Sequence, residues 1–563
     1  MGQSAELLSL IAEAASGETA RARSMGLALA TRLDCAPGNR AQALVAVAFA
    51  DYVDARFTDA LYGSERALAM AMGSSNREAQ LQALSMRLFV TAGVAWAGTE
   101  IPVDYFALAW DRREELSSMD VESRMLAGHL LAEGALATGR IAEAAGVLAD
   151  LGDIRSERNA DDEARVPYPA FMQIQRARVL IFSGAMTEAL EVATHAAEEA
   201  RLANNMPCAA LATALIGLVK ANLDDRTAAR GIAAGIEREL PSPLGLLETG
   251  AWIVCAYALF AVGDAERASE FVLRAGGGPE LSSLQIVDRA LGYEILVGAA
   301  LERHDLDAAA GWGQRSIPLA AHPAGGAVVE QVLARLDEAT GNANSAVEHA
   351  AVAAARARLT GRYLEAARAD VLGARALAAA GLRDGAVAQL TGVAHEAARA
   401  GVPALRRIAT RELRLLGYRL PPQPGSGWSS LSEREQQIAI LAADGFSNVV
   451  IGATLYLSAR TVQFYMSRVF SALEIASRAA LPRHVAPLER SALDPALPAL
   501  TARQWDVARL VAEGCSNHEI AAHLTISVKT AEKHIGEILR RWGVTSRTSI
   551  ARLIVTGAQS SAS

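Results

Sequence analysis

LTARQWDVARLVAEGCSNHEIAAHLTISVKTAEKHIGEILRRWGVTSR, Leu500–Arg547, carries a pattern that occurs twice in this chain. LSEREQQIAILAADGFSNVVIGATLYLSARTVQFYMSRVFSALEIASR, Leu431–Arg478, aligns with it at a constant offset of 69 without a gap, and 15 of the 48 positions are identical. The shared pattern runs Leu–Ser/Thr–x–Arg, an apolar helix ending in Gly, Ser-Asn, x-Ile, Leu-x-Leu/Ile-Ser-x-Arg/Lys-Thr and a final Ser-Arg. In the later copy Thr501 and Gln504 form a capping box that starts a helix running to about Glu513, which Gly514 stops. Ser516 and Glu519 repeat the device for a short helix over Asn517 to Leu524. After Thr525-Ile526-Ser527, Ser527 caps a third helix, Val528 to about Trp542, and Ser546 begins a fourth, to about Val555. Two helices joined by so tight a turn, with the later one exposed, are the geometry that enters a DNA major groove.

The third helix carries the matching chemistry. Lys529, Lys533, His534, Arg540 and Arg541 are cationic or able to become so, and such groups neutralise phosphates and donate to guanine edges. Glu532 and Glu537 can accept from cytosine amino groups or limit nonspecific binding. Ser527, Thr530 and the helix N-terminus beginning at Val528 can hold a phosphate. Arg547 ends the motif and completes the candidate set of the second module.

The two copies resemble the LuxR-type helix-turn-helix domain. The second does so closely, through Ser-Asn, x-Glu-Ile-Ala, Ile-Ser, Lys-Thr, Glu-Lys-His and Gly-Val-x-Ser-Arg in register. The resemblance implies that the fourth helix dimerises and the third reads DNA, with Lys529, Thr530, Glu532, Lys533, His534 and Gly536 on the reading surface and Arg541 at a phosphate. The first copy resembles the version attached to large regulators but departs where charge matters. Phe464, Tyr465, Ser471 and Ala472 stand where the second has Lys533, His534, Arg540 and Arg541, and Glu474 replaces the usual Gly. Its candidates are Arg460, Thr461, Gln463, Phe464 and Arg468. With four basic groups against four acidic ones, its phosphate affinity is expected to be weaker.

Upstream, apolar residues recur at i, i+3 and i+4, and breaks fall near Gly17, Asp54, Gly98, Gly139, Gly184, Asn222, Gly263, His304, Gly341 and Gly381. A period near 40 with Ala-rich starts, best seen in GRYLEAARADVLGARALAAAGLRDGAVAQL (361–390), indicates stacked helical hairpins. It resembles the tetratricopeptide-like superhelix of large bacterial regulators. The expected fold class is all-α: a tetratricopeptide-like solenoid over residues 1–420, then four-helix modules over 431–481 and 500–556, with PPQPGSGWSS (421–430) as linker. Such a solenoid offers a concave surface for a protein, peptide or small-molecule effector. Trp96, Trp110, Trp252 and Trp312 either line it or fill the core.

Residues 1–429 carry 40 basic and 51 acidic groups, whereas residues 500–563 carry 8 and 5. An acidic body with a basic end suits a DNA-binding regulator. Two of the three lysines, Lys529 and Lys533, share one helical face. Cys35, Cys208, Cys255 and Cys515 have no paired spacing and read as free thiols in a reducing compartment. The N-terminus shows no export signal, and the most apolar window, Gly250 to Gly263, is too short to span a bilayer, so a cytoplasmic protein without membrane contact is expected. No lysine follows a glycine, which excludes a P-loop, and no metal-ligand spacing or nucleophile elbow occurs. No cofactor and no enzyme activity are expected. The function expected is transcription regulation through double-stranded DNA. The modules act either as a pseudo-symmetric pair within one chain or through a homodimer of fourth helices. The alternative is an interaction scaffold whose modules dimerise rather than bind DNA.

Overall fold

The computed structural model describes residues 10, 18–94, 104–151, 168–420, 427–428, 431–455, 457–473, 475, 477–485, 500–544 and 546–560. Every regular element among them is helical. The chain forms two compact units, Met1–Arg419 and Leu420–Ser563.

The first unit is a solenoid of helical hairpins. Representative pairs are Val121–Ala137 with Ile141–Asp150, Leu246–Ala261 with Ala265–Gly276, and Tyr363–Ala379 with Arg383–Arg399. Each turn needs a left-handed residue to reverse the chain within a few positions. Gly139, Gly184, Gly263, Gly341 and Gly381 supply it at φ between +77° and +88°, and Ala55, Asp224 and His304 supply it without being glycine. The expected breaks at Gly17 and Gly98, like Trp96, lie outside the described residues. Alanine explains the close stacking. In Met186–Leu202 the buried face is Met186, Ala189, Ala193, Ala196, Ala197 and Ala200, a stripe at helical spacing with almost no side-chain bulk to hold neighbours apart.

Successive hairpins rotate until distant turns of the superhelix meet. His322 Nε2 lies 3.2 Å from Ala92 O, and Arg407 Nε donates to both Asp224 oxygens at 2.9 and 3.1 Å. Because His322 Nδ1 accepts the Gly325 N–H at 3.0 Å, its proton belongs on Nε2, donated to Ala92.

Trp110, Trp252 and Trp312 lie in packed positions. Trp252 is 1% exposed and donates to Leu240 O at 2.9 Å. Trp110 stacks on Phe106 and Trp312 on Tyr293, each with an arginine over its ring. The apolar window, Gly250 to Gly263, covers most of the helix Leu246–Ala261 and the turn that ends it. Cys35, Cys208 and Cys255 are buried, and burial pushes Cys208 and Cys255 up to about 12. No described helix is long and apolar enough to cross a membrane.

Candidate nucleic-acid interface

The second unit holds both modules. Module one has helices Glu433–Ala443, Asn448–Leu455, Ala459–Leu473 and Leu481–Val485, and module two has Ala502–Ala512, Asn517–Leu524, Val528–Trp542 and Arg547–Ser560. The caps act as the sequence suggests. Thr501 Oγ accepts from Gln504 N while Gln504 answers to Thr501 N, and Ser432 with Glu435 repeats this in module one. Gly514 and Gly445 end the first helices at φ +87° and +91°.

The repeated Ser-Asn and Ser-Arg prove to be one clamp. Arg547 Nη1 donates to Asn517 Oδ1 at 2.6 Å and Nη2 donates to Cys515 O, while Asn517 Nδ2 reaches Glu532 at 3.4 Å. In module one Arg478 donates to Asn448 at 2.7 Å and to Phe446 O, and Asn448 Nδ2 donates to Gln463 at 2.7 Å. Each arginine thus ties the start of its fourth helix to the turn before the second helix. Arg503 and Arg434 close the far side by donating to Leu524 O and Leu455 O. These backbone carbonyls end short helices and would otherwise be orphaned.

The third helices differ in what they turn outward. In Val528–Trp542, Ala531, Ile535, Ile538 and Trp542 face the core, whereas Lys529, Glu532, Lys533, Arg540 and Arg541 are exposed. Val528, Thr530, His534, Gly536 and Glu537 are half-buried. Exposed Ser527 receives the Thr530 N–H at 3.1 Å and shares a 2.7 Å contact with the Thr530 hydroxyl. Nothing would lie within 4 Å of a Cβ at Gly536, so that stretch of helix is open. Glu537 turns inward to accept from Gln504 Nε2 at 3.1 Å.

In module one Arg460, Gln463 and Phe464 are exposed and Thr461 and Tyr465 half-buried. Arg468 takes the Glu537 position with opposite polarity, donating to Glu435 at 2.5 Å. Burial raises the Glu435 pKa, but the Ser432 hydrogen bonds and Arg468 outweigh it and hold the group below the usual carboxylate range. Arg468, Glu537 and Arg547 are therefore engaged within their own modules. The signal missed in the sequence was the exchange Glu435/Arg468 for Gln504/Glu537, a swapped polar pair at equivalent positions. Glu474 lies outside the described residues.

The modules pack on each other reciprocally. Ser477 Oγ donates to Gly514 O at 2.9 Å, and a Cβ on Gly514 would lie 3.1 Å from Ala480 Cβ and 3.3 Å from Ser477 Oγ. A Cβ on Gly445 would lie 2.9 Å from Ser546 Oγ and 2.6 Å from Ser549 Oγ. Gly445 and Gly514, Ser477 and Ser546, and Ala480 and Ser549 are each 69 apart. Residue i of one module thus meets residue j of the other and the reverse, which defines a two-fold, isologous contact formed inside one chain.

Both modules match the family described as "Bacterial regulatory proteins, luxR family", over residues 429–485 and 498–554. A nitrate/nitrite response regulator protein homolog of Haemophilus influenzae is 45% identical over 62 residues, covering 11% of this chain and 30% of that one. A protein of Mycobacterium bovis named as an HTH-type transcriptional regulator is 39% identical over 59 residues, 10% of this chain and 7% of that one. The chain thus matches less than a third of the length of these curated relatives. The crystal structure of a Rap protein complexed with competence and sporulation factor shares 10% identity at TM-score 0.42, over 68% of this chain and 98% of that one. The chain carries two luxR-family helix-turn-helix domains, the type found in transcription regulators, behind a helical solenoid.

Proposed function

We propose that this chain is a DNA-binding transcription regulator whose two modules form a single reading head, under control of the solenoid. The carrying observation is the reciprocal packing around Gly445 and Gly514. A two-fold related pair of third helices is what two half-sites about one helical turn apart require. Joining both in one chain makes the second engagement intramolecular, so affinity rises without another subunit.

The halves differ in role. Module two brings Lys529, Lys533, Arg540 and Arg541, with Ser527 and Thr530 at the helix N-terminus, and supplies most of the phosphate affinity. Module one brings Arg460, Gln463 and Phe464 and contributes more to base contact than to charge neutralisation. The operator is therefore non-palindromic, with a strong and a weak half. Footprinting combined with sedimentation tests this: one chain should protect two unequal half-sites. Protection of one short half-site, or a need for two chains per operator, would overturn it.

A specific observation also favours a protein-binding role for module one. Phe446, Val449, Val450 and Phe464 are exposed, Val449 at 69% and Phe464 at 52%, where module two has Cys515, His518, Glu519 and Lys533. An apolar surface of this kind suits a macromolecular partner better than phosphate. Under that reading Phe464→Ala leaves DNA affinity unchanged.

A further inference from the structure

Along the inside of the superhelix two chambers adjoin, each with a cavity volume of about 100 Å³. Both are lined by Arg178, Ile253, Val254, Gln285 and Asp288. Their walls come from the first helices of successive hairpins, among them Tyr168–Ser183, Met206–Asn222, Leu246–Ala261, Ile286–Glu302 and Tyr363–Ala379. The lining is mainly aliphatic, with Ile181, Leu215, Leu218 and Leu291 around the first chamber. A mostly apolar cavity with a few convergent polar groups is the general form of a small-molecule site.

The charged groups divide unevenly. Arg178 Nη1 donates to both Glu133 oxygens at 2.7 and 2.8 Å. Arg362 donates to Glu365 at 2.6 Å, with both side chains buried. Arg368 lies over Tyr257, 5.7 Å from the ring centre. Asp288 lines both chambers and has no hydrogen-bond or ion-pair partner among the described residues, although Arg178 and Arg362 are near enough to bias it. Burial raises its pKa, and the attraction of those two arginines, offset by Glu133, does not restore it. Asp288 is half-buried, and its carboxylate has lost part of its water without gaining a directly bonded cation in return. A ligand that brings the missing cation offsets that loss on binding.

We infer that the chamber at Asp288 binds a small organic cation with an aliphatic body, a protonated primary amine, its ammonium on the Asp288 carboxylate and its chain along Leu215, Leu218 and Ile253. Such a chamber would be the effector site of the regulator proposed above, and its role rests on that reading. Binding is measured without DNA, so it can fail while DNA recognition stands, and the reverse.

The probes are hexylamine, hexanol and hexanoate, titrated calorimetrically into the full chain at neutral pH. Hexylamine should bind one per chain, about tenfold or more tighter than either of the others, because only it carries a donor charge for the carboxylate. Asp288→Asn should abolish that preference, and Val254→Phe, which fills the space shared by both chambers, should remove binding altogether. Helical content and melting temperature establish that each variant is folded. The inference is overturned by no saturable binding of hexylamine, by equal binding of hexanol or hexanoate, or by an Asp288→Asn protein that keeps its preference for the amine. Asp288→Asn and Val254→Phe act on different features, so misfolding of one leaves the other decisive.

Discussion

The charge asymmetry between the modules predicts a salt dependence that can be worked out in advance. Lys529, Lys533, Arg540 and Arg541 are exposed on the third helix of module two, and Arg460 on that of module one. Arg468, Arg478, Arg503 and Arg547 are held by their own module. If each of the five exposed cations neutralises one phosphate, log affinity against log salt has a slope of about −4.5, at about −0.9 per contact. A fourfold rise in salt then weakens binding about 500-fold. The double variant Lys529→Ala/Lys533→Ala leaves three contacts, a slope of about −2.7 and a loss of about 40-fold over the same range. Fluorescence anisotropy of a labelled operator duplex across a potassium chloride series measures both. A wild-type slope in the double variant, or a slope flattened more by Arg460→Ala than by the double variant, would refute this assignment of phosphate contacts.

Four further outcomes follow from the geometry. Arg547→Ala should cost stability of about 1–3 kcal/mol by leaving Asn517 and the Cys515 carbonyl without their donor, yet keep the wild-type salt slope; a flattened slope would place Arg547 on phosphate instead. Gly514→Ala should lower the melting temperature of residues 420–563 within the full chain, because φ +87° costs a non-glycine residue about 1–2 kcal/mol and the new Cβ meets Ala480 at 3.1 Å; an unchanged calorimetric transition would count against the packing. Lys533→Ala should weaken DNA binding more than Phe464→Ala, and the reverse order in the same anisotropy assay would invert the roles of the modules. Burial lowers the His322 pKa to about 4 although its contact with Ala92 opposes this, so the folded state holds it neutral and the unfolded chain binds the extra proton. Its stabilising contribution is present above pH ~6.5 and is lost as pH falls towards about 4, on the order of 3 kcal/mol. Urea unfolding between those limits should be less pH-dependent in His322→Gln, and equal dependence would remove His322 as the cause.

Local rules were enough for the second and third helices of module two, whereas the fourth, read as ending at about Val555, runs to Ser560. Hydroxyl caps, glycine stops and the 3.6-residue period act over a few residues, and they place Asn517–Leu524 and Val528–Trp542 at the bounds read from the sequence. The turns at Gly139, Gly184, Gly263, Gly341 and Gly381 were legible for the same reason, since reversing a chain there needs a residue that tolerates positive φ. The composition of the third helix also told which module is cationic. It did not tell which charges are free. Arg468 and Arg460 look alike in the sequence, and only the position of Glu435 after folding separates the one held inward from the one exposed.

The repeat suggested a pair of modules, but the contacts that join them and the chamber around Asp288 depended on tertiary structure. Gly514 meets Ser477 and Ala480, and His322 meets Ala92 across 230 residues. Such contacts follow from small rotations summed over many helical hairpins and from the shape complementarity of whole faces. Neither quantity is carried by any short run of residues. The chain therefore encodes its elements locally, whereas the partners of each exposed or buried charge are set only when distant elements come together.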